Sequence, residues 1–374
     1  MRVYLAYLFF LSYCFLNAVA EQVNFAYVLT EQNFKQVFTS VNSLLQNYNG
    51  KKDEISIYMI SPNRYYMDLS PMKTKIDTLF QLKNHFKSWQ LHCVPIANEL
   101  AALGNIDGFG PIHEVPKCML GDILPDITRV IFLRADTIVI RNIRPLWIDY
   151  RSDSFPFATV NGQYEPESQA VKYRHSIGCM VANLTLMKEL EFSSAIQDII
   201  STSGFGYNPD QDEDFNISPV DQAFYQYFTE NANTSPTLPI RYDSIASSIP
   251  AKRWVRSYST SDTTGTQTTG NKIEEFNQLT VINFAGIPNL EDFLENSYDT
   301  EVKWQYQKWI LNNYKKYYIS DATFPEYSMC CDYECCPDNC PCRSQDDCSP
   351  FPLHQWTQLG TFNIRFGVAL DKMQ

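Results

Sequence analysis

Residues 129–147 read RVIFLRADTIVIRNIRPLW, two short apolar runs separated by a polar turn. The first run, from Arg129 to Leu133, is rich in β-branched and aromatic residues and has the length of a buried strand. Arg134 and Asp136 follow it at once. Ligands of open α/β sheets bind at the carboxyl ends of the strands. This stretch therefore predicts a central strand whose end carries charged site residues.

The chain before this stretch alternates strand-like and helix-like segments. The strand-like runs lie at 23–30, 55–60 and 89–96, and helical periodicity lies at 34–45, 72–86 and 117–124. Such alternation predicts βαβ units. We expect a Rossmann-like α/β fold with a mixed, mainly parallel sheet flanked by helices.

Three further strand-like runs follow, at 155–160, 177–184 and 279–284. A helix from Glu301 to Tyr318 is expected to close the main domain. We place that domain at 21–320 and a small cysteine-rich tail at 321–374.

The first twenty residues, MRVYLAYLFFLSYCFLNAVA, carry one positive charge, an apolar stretch and an end of small residues. This pattern is typical of a secretory signal peptide, and we expect cleavage before Glu21. The alternative is an uncleaved signal anchor, because the apolar run is nearly long enough to span a bilayer. Cleavage would leave no stable membrane span and would place the mature chain in the lumen of the secretory pathway (ER or Golgi) or outside the cell.

Cysteine usage agrees with an oxidising compartment. Seven of the 11 cysteines crowd into the tail, at Cys330, Cys331, Cys335, Cys336, Cys340, Cys342 and Cys348. We expect disulfides there, because short secreted segments cannot bury enough apolar surface to hold themselves. Zinc is disfavoured, since the paired C-x2-C spacing is missing. Seven is odd, so either one tail cysteine pairs with Cys93 or Cys118, or one stays free.

Three N-glycosylation sequons occur, at Asn183, Asn216 and Asn233. Asn183 ends a strand-like run and Pro219 follows the sequon of Asn216. Asn233 is therefore the expected site of a glycan.

Composition narrows the class of protein. The chain has 374 residues, of which 44% are hydrophobic and 19% charged, and its formal charge is −12. These values are typical of a compact folded protein and exclude disordered, collagen-like and coiled-coil classes. The acidic excess disfavours nucleic acid as a partner, because it repels a phosphate backbone.

Several segments together resemble one enzyme family. In the GT-A nucleotide-sugar transferases of glycosyltransferase family 8, which include glycogenin-like enzymes, a strand ends in Asp-x-Asp. This chain has Arg134-Ala135-Asp136 at the matching place. Residues 26–30 (AYVLT) resemble the family's first strand, and residues 176–184 (SIGCMVANL) resemble its Asn-x-Gly strand. Residues 282–286 (INFAG) are similar to its closing His-Phe-x-Gly strand, and Asp221-Gln222 matches its Asp-Gln pair.

The resemblance implies a function and a set of site residues. It implies transfer of a hexose or related sugar from a nucleotide-sugar, UDP-linked and with retention of the anomer, to a glycan or glycoprotein acceptor. Asp221 and Gln222 would face the anomeric carbon as the catalytic pair. The residues implied to contact the nucleotide-sugar are Thr30, Lys117, Arg134, Asp136, Ser176, Gly178 and Gly286.

The metal site is where this chain departs from the family. The resemblance implies Mn²⁺ held by two aspartates and a histidine, but Arg134 replaces the first aspartate and Asn283 replaces the histidine. An arginine beside Asp136 repels a divalent cation, so the expected cofactor is either Mn²⁺ held through Asp136 or none. Arg134 itself suits a diphosphate, because a guanidinium stays charged and binds phosphate oxygens in pairs.

Three alternatives stay open from the residues alone. Arg134 and Asp136 could form an ordinary strand-end ion pair without a ligand. Asp221 could serve only as the N-terminal cap of a helix, favoured by the helix dipole. The whole chain could be a catalytically degenerate secreted protein that binds a nucleotide, a glycan or a protein partner, because a fold does not fix a function.

Overall fold

A computed structural model of the protein describes residues 21–63, 66–80, 85–103, 109, 112–150, 154–160, 177–203, 218–231, 237–245, 279–284, 309, 312–319 and 322. The strands are β1 Gln22–Val28, β2 Gly50–Ser61, β3 Phe86–Pro95, β4 Arg129–Leu133, β5 Thr137–Val139, β6 Phe157–Val160, β7 Cys179–Asn183, β8 Thr237–Leu238, β9 Ser244–Ile245 and β10 Val281–Asn283. The α-helices are α1 Phe34–Asn47, α2 Ser70–Phe80, α3 Ala97–Ala102, α4 Leu120–Ile123, α5 Arg144–Asp149, α6 Leu184–Glu189, α7 Phe192–Ser203 and α8 Pro219–Glu230, and short 3₁₀ turns lie at Val115–Cys118 and Ile240–Tyr242.

The strands of the described residues form two sheets. A seven-stranded sheet has the order β3-β2-β1-β4-β7-β6-β8, and a three-stranded sheet has the order β5-β10-β9. Strands β3, β2, β1 and β4 run parallel, β7 runs antiparallel to both β4 and β6, and β8 runs parallel to β6. The predicted α/β class with a mixed, mainly parallel sheet is therefore confirmed.

Helices cover both faces of the large sheet. Side chains alternate along β1, so each face of this strand contributes to a different core. Phe25 and Tyr27 pack into a core with α1, while Ala26 and Val28 pack into a second core with α7 and α8. A strand buried on both faces reads as a continuous apolar run. The apolar run of β1 is followed by polar residues from Thr30 onward. Because β1 and β4 are parallel neighbours, their carboxyl ends lie at the same edge of the sheet.

Two helix predictions need correction. The helix predicted at 117–124 is a 3₁₀ turn, Val115–Cys118, followed by the single turn α4. Pro116 lacks an N–H group for a longer helix, and a Cβ at Gly121 would lie 2.9 Å from the Leu184 carbonyl oxygen, so this segment is built for close contact with α6. The helix predicted at 72–86 ends at Phe80, and Phe86 instead begins β3, where it pairs with Gly50.

The last described segment packs against α1. Residues 312–317 are helical. Asn42 Nδ2 donates to the Tyr317 carbonyl oxygen at 2.7 Å, and Asn47 Nδ2 donates to Tyr317 Oη at 2.8 Å. This late part of the chain thus supplies partners to one buried and one partly buried amide on the first helix.

Several predictions fall outside the described residues: the leader at 1–20, the sequon at Asn233, Ser176, Gly286 and the cysteines from Cys330 to Cys348. The cysteines that the structure does describe, Cys93, Cys118 and Cys179, are free thiols. In the described ranges no helix has the length and apolar character needed to cross a bilayer.

Candidate functional site

A cavity of about 470 Å³ lies at the carboxyl ends of β1 and β4. Its walls come from four segments: the end of β1 with Thr30, the start of α1 with Asn33 and Gln36, residues 112–114, and residues 132–136. Strand ends that meet at one edge of a parallel sheet are where α/β proteins bind ligands. The cavity therefore lies where the sequence predicted the site.

The turn between β1 and α1 forms one wall. Asn33 Oδ1 accepts from the Thr30 N–H at 2.8 Å, and Asn33 Nδ2 donates to the Val28 carbonyl at 3.0 Å. With its side chain used in this turn, Asn33 does not cap α1, and the first turn of this 14-residue helix holds no acid. The backbone N–H groups at the start of such a helix attract anions.

The turn after β4 forms the charged wall. Arg134 Nε and Nη2 donate to the two carboxylate oxygens of Asp136, each at 3.1 Å. Both side chains are only partly exposed, at 19% and 17%. The Arg134 backbone N–H donates to the Gly178 carbonyl at 3.0 Å, which ties the turn to the start of β7. The ion pair considered as an alternative from the sequence is present, and it lines the cavity.

Buried hydroxyls hold this turn from behind. Thr137 Oγ1 donates to the Arg134 carbonyl at 2.8 Å. Ser40 Oγ lies 3.3 Å from Thr137 Oγ1 and 3.2 Å from Tyr27 Oη. Since Tyr27, Ser40 and Thr137 are all buried, this chain of hydroxyls connects the core of the sheet to the backbone that positions Arg134.

A cluster of charges extends inward from Arg134. Lys117, with no exposed surface, forms close ion pairs with Glu114 Oε2 and Asp221 Oδ1. Arg134 Nη2 lies 3.5 Å from Glu114 Oε1, and Arg134 Nη1 lies 3.9 Å from Asp221 Oδ2. Together with Asp136, the cluster holds three carboxylates and two cations.

The two carboxylates that share Lys117 differ in their ease of ionisation. Burial raises the pKa of Glu114, but Arg134 and Lys117 outweigh burial and hold the pKa of this carboxyl well below its usual range. For Asp221 burial dominates and raises the pKa, although Lys117 opposes it. Glu114 is therefore the more firmly charged of the two.

A second polar contact joins β10 to the same region. Asn283 pairs with Thr137 across β10 and β5, and its Nδ2 donates to Asp243 Oδ1 at 2.9 Å. Asp243 Oδ2 accepts from the backbone N–H groups of Gly178 and Cys179, at 2.7 and 3.2 Å. Burial raises the pKa of Asp243 to about 7, against the effect of these donors.

The structure distributes the residues implied by the resemblance unevenly. Thr30, Arg134 and Asp136 line the cavity. Lys117 and Asp221 lie behind that wall, where their charges are paired, and Gly178 lies beside them, bonded to Arg134 and Asp243. Gln222 sits in the first turn of α8, where its N–H donates to the Ser218 carbonyl.

The residues present do not fit a divalent cation. Among the described residues there is no group of three or more His, Cys, Asp or Glu side chains that could hold a metal. Both oxygens of Asp136 accept from Arg134, and Asn283, at the position of the family's histidine, donates to Asp243. The Arg134 guanidinium already places a positive charge against Asp136.

Sequence reasoning missed three side chains that the site contains: His113, Glu114 and Asp243. Glu114 lines the cavity, and its Glu-x-x-Lys spacing to Lys117 was a usable signal for an ion pair. Asp243 meets Gly178 across 65 positions of chain. No local pattern marks such a contact.

Comparison with known proteins gives a likeness of fold. No family model matches the chain, and no curated protein matches it. Similar solved structures include the glycosyltransferase GlyE of Streptococcus pneumoniae TIGR4, at 12% identity and a TM-score of 0.45, over 81% of this chain and 66% of GlyE. The galactosyltransferase LgtC, solved with donor and acceptor sugar analogues, matches at 9% identity and 0.49, over 79% of this chain and 96% of LgtC.

A third solved structure is mouse xyloside xylosyltransferase 1, at 14% identity and a TM-score of 0.45, over 71% of this chain and 97% of that chain. All three are glycosyltransferases. Because identity is this low, the chemistry of the site has to come from its own residues.

Proposed function

We propose that the protein is a glycosyltransferase that binds a nucleoside-diphosphate sugar in the cavity at the ends of β1 and β4. The observation that carries this proposal is the composition of the cavity wall. It combines a guanidinium and the uncapped start of α1 with the carboxylates of Glu114 and Asp136. A nucleotide-sugar has matching parts, an anionic diphosphate and a sugar whose hydroxyls donate hydrogen bonds.

Arg134 is suited to the diphosphate. A guanidinium presents paired N–H donors to phosphate oxygens, and the first-turn N–H groups of α1 add a fixed positive potential. The diphosphate would take over the Arg134 donors that Asp136 now accepts. That exchange is feasible because a partly exposed ion pair in contact with water contributes little stability.

The chemistry of sugar transfer gives Arg134 its role. The anomeric carbon exchanges its bond to the diphosphate oxygen for a bond to an acceptor hydroxyl, whose proton passes to the leaving diphosphate. Negative charge grows on that diphosphate in the transition state, and a fixed positive group stabilises it. Here the positive group is Arg134, and no step requires a metal. UDP as the nucleotide, retention of the anomer and a glycan acceptor belong to the same proposal.

The catalytic pair stays a prediction. The Asp221 carboxylate is buried and paired with Lys117, so its part in the proposal is to fix Lys117 and, through it, Glu114. Gln222 is the member of the pair proposed to approach the sugar.

The alternative function is nucleotide or glycan binding without transfer. It is favoured by one observation, that Arg134 already has carboxylate partners on three sides, Asp136, Glu114 and Asp221. Both functions use the same cavity. They differ in whether the sugar of the bound donor is transferred to an acceptor.

Titration calorimetry with UDP and UDP-sugars, in EDTA and in Mn²⁺, tests the proposal. If Arg134 supplies the countercharge, affinity in EDTA should nearly equal affinity in Mn²⁺ and should weaken with salt. Arg134→Ala should cost about 1.5–3 kcal/mol of binding, the range for a hydrogen bond to a charged group. Arg144→Ala is the matched control, since Arg144 is a partly exposed arginine outside the cavity.

The outcomes separate the candidates. Binding that EDTA abolishes would contradict the role of Arg134, and absence of nucleotide binding under both conditions would contradict the proposed site altogether. Release of UDP from a bound UDP-sugar when an acceptor is added distinguishes a transferase from a binding protein.

We also propose that the protein acts in the lumen of the secretory pathway or outside the cell, on the support of the leader-like residues 1–20 and the cysteine-rich tail. Amino-terminal sequencing of secreted material should give Glu21 as the first residue. An intact Met1 in a membrane fraction would contradict the proposed cleavage.

A further inference from the structure

We propose that Glu114 selects the sugar of the donor: it accepts hydrogen bonds from the hydroxyls of a neutral hexose and repels sugars that carry a carboxylate. This inference rests on the proposed function and names the substrate class of that same cavity. It assigns a role to a residue that the sequence prediction did not include.

The position of Glu114 gives the first argument. Glu114 lines the cavity with Arg134 and Asp136, although only 3% of its surface is exposed. Its Oε1 lies 3.5 Å from Arg134 Nη2. A sugar attached to a diphosphate that Arg134 holds would therefore lie within reach of Glu114.

The free acceptor capacity of Glu114 gives the second argument. Oε2 is committed to a close ion pair with Lys117. The contacts of Oε1, with Arg134 and with His113 Nε2, are both 3.5 Å, longer than the about 2.7–3.2 Å of an N–H···O hydrogen bond. Asp136, in contrast, uses both of its oxygens on Arg134. Oε1 of Glu114 is thus an oxygen on this wall that can accept from a ligand hydroxyl.

The charge of Glu114 gives the third argument. Lys117 and Arg134 keep this carboxyl ionised despite its burial, as its lowered pKa shows. The surrounding cluster, with Asp136 and Asp221, already holds one more carboxylate than cations. A second carboxylate on the bound sugar would meet this excess of negative charge, and juxtaposed like charges are costly and discriminate between ligands.

UDP-glucose and UDP-glucuronic acid test the proposal, because they differ only at C6, which carries a hydroxymethyl group in one and a carboxylate in the other. Dissociation constants are measured by calorimetry in EDTA. The protein should bind the glucuronate at least about tenfold more weakly. Glu114→Gln keeps the size and one acceptor oxygen but removes the charge, and it should bring the two affinities to within about threefold of each other.

Asp122→Asn is the matched control, since it removes one negative charge at an exposed position outside the cavity. It should leave the affinity ratio unchanged. Thermal unfolding establishes that each variant is folded. If Glu114→Gln does not fold, the two dissociation constants of the unmodified protein are measured at several salt concentrations instead. Salt screens a repulsion between like charges, so the ratio of the two dissociation constants should become smaller as ionic strength rises.

Each result decides the matter. Equal affinities for the two donors in the unmodified protein would overturn the selection of a neutral sugar. The assignment to Glu114 would be overturned if Glu114→Gln left the ratio of the two donor affinities unchanged. It would also be overturned if rising salt did not reduce that ratio. Failure of UDP and of both donors to bind would instead overturn the proposed function on which the inference rests.

Discussion

Two partly buried ion-pair groups lie at opposite ends of the parallel strands and differ in their surroundings. Near the amino end of β2, Asp53 accepts from Arg144 Nε at 2.5 Å, from Arg144 Nη2 at 3.3 Å and from Tyr48 Oη at 2.8 Å. Asp53 and Arg144 are one acid and one base in direct contact, and Glu21 also acts electrostatically on Arg144. At the carboxyl end of β4, the cluster around Arg134 has three acids, two bases and contacts out to 3.9 Å, and it borders a cavity.

The difference separates a group that joins two elements of the fold from one that borders the cavity proposed to bind the donor. The Asp53 group satisfies its members with short contacts between β2 and α5, and it adjoins no cavity wall described above. The Arg134 cluster combines close ion pairs of Lys117 with longer contacts of Arg134, at 3.5 and 3.9 Å, and it borders the cavity. Buried charge networks of this kind are common at functional sites. The following substitutions should affect the two groups differently.

The largest effect is expected at Lys117. Lys117→Met should lower the free energy of unfolding by about 3–5 kcal/mol, because it leaves the buried carboxylates of Glu114 and Asp221 without their shared cation. Chemical denaturation measures this loss. Lys87→Met is the control, since Lys87 pairs with Glu54 at the surface and such pairs contribute less than about 1 kcal/mol. If Lys117→Met and Lys87→Met lost the same free energy of unfolding, the charges around Lys117 would have to be solvated, which would contradict the prediction.

A smaller effect on stability is expected at Arg144. Arg144→Met should cost about 1–3 kcal/mol, because Asp53 keeps its bond from Tyr48 but loses its countercharge. Nucleotide affinity should stay at its original value, since Arg144 lies at the other end of the sheet. A fall in affinity comparable to that of Arg134→Ala would mean that the two groups are coupled.

The buried carboxyl of Asp243 predicts a pH dependence. Its pKa is raised from 3.8 to about 7, so the folded protein binds this proton more tightly than the unfolded chain. The stability from this group is full below pH 4 and is lost as pH rises toward 7, with a slope of at most about 1.4 kcal/mol per pH unit. Asp243→Asn should remove that slope. Denaturation curves at several pH values, compared between protein and variant, measure it, and parallel curves would contradict the prediction.

The smallest effect is expected in the hydroxyl chain. Thr137→Val keeps the shape but removes the bond to the Arg134 carbonyl, and it should cost about 1 kcal/mol of stability. Nucleotide affinity should fall with it, because the turn that aims Arg134 loosens. Thr137→Ser keeps the hydroxyl and should restore affinity. If Thr137→Ser binds as weakly as Thr137→Val, the methyl group and not the hydroxyl holds the turn.

The strands and α1 could be predicted because burial makes apolar residues recur at regular intervals along the sequence. Phe25, Ala26 and Tyr27 alternate between two cores, and α1 places Val37, Val41 and Leu44 toward one. The polar turn after Leu133 could be recognised because it interrupts such a run. The helix predicted at 117–124 was wrong because Pro116 and Gly121 divide residues 115–123 into turns too short for a period.

The site was only partly predictable because most of its contacts join distant positions. Thr30, Arg134 and Asp136 follow strands directly, and strand ends converge by topology. Whether Lys117 faces a ligand or a carboxylate depends on Asp221, 104 positions away. The sequence implied that Lys117 contacts the donor, but its burial between two acids gives it an indirect part in the present proposal.

The contact of α1 with residues near 317 has a consequence for biosynthesis. Asn42 and Asn47 leave the ribosome early, yet their partner Tyr317 follows 275 and 270 positions later. Closing so long a loop is slow, because its entropic cost precedes the contact that rewards it. Until then the Asn42 amide has no Tyr317 carbonyl to donate to. The core on the α1 face contains Ile319 and Ala322 as well. Among the described residues this face therefore cannot be complete before the chain has been translated through Ala322.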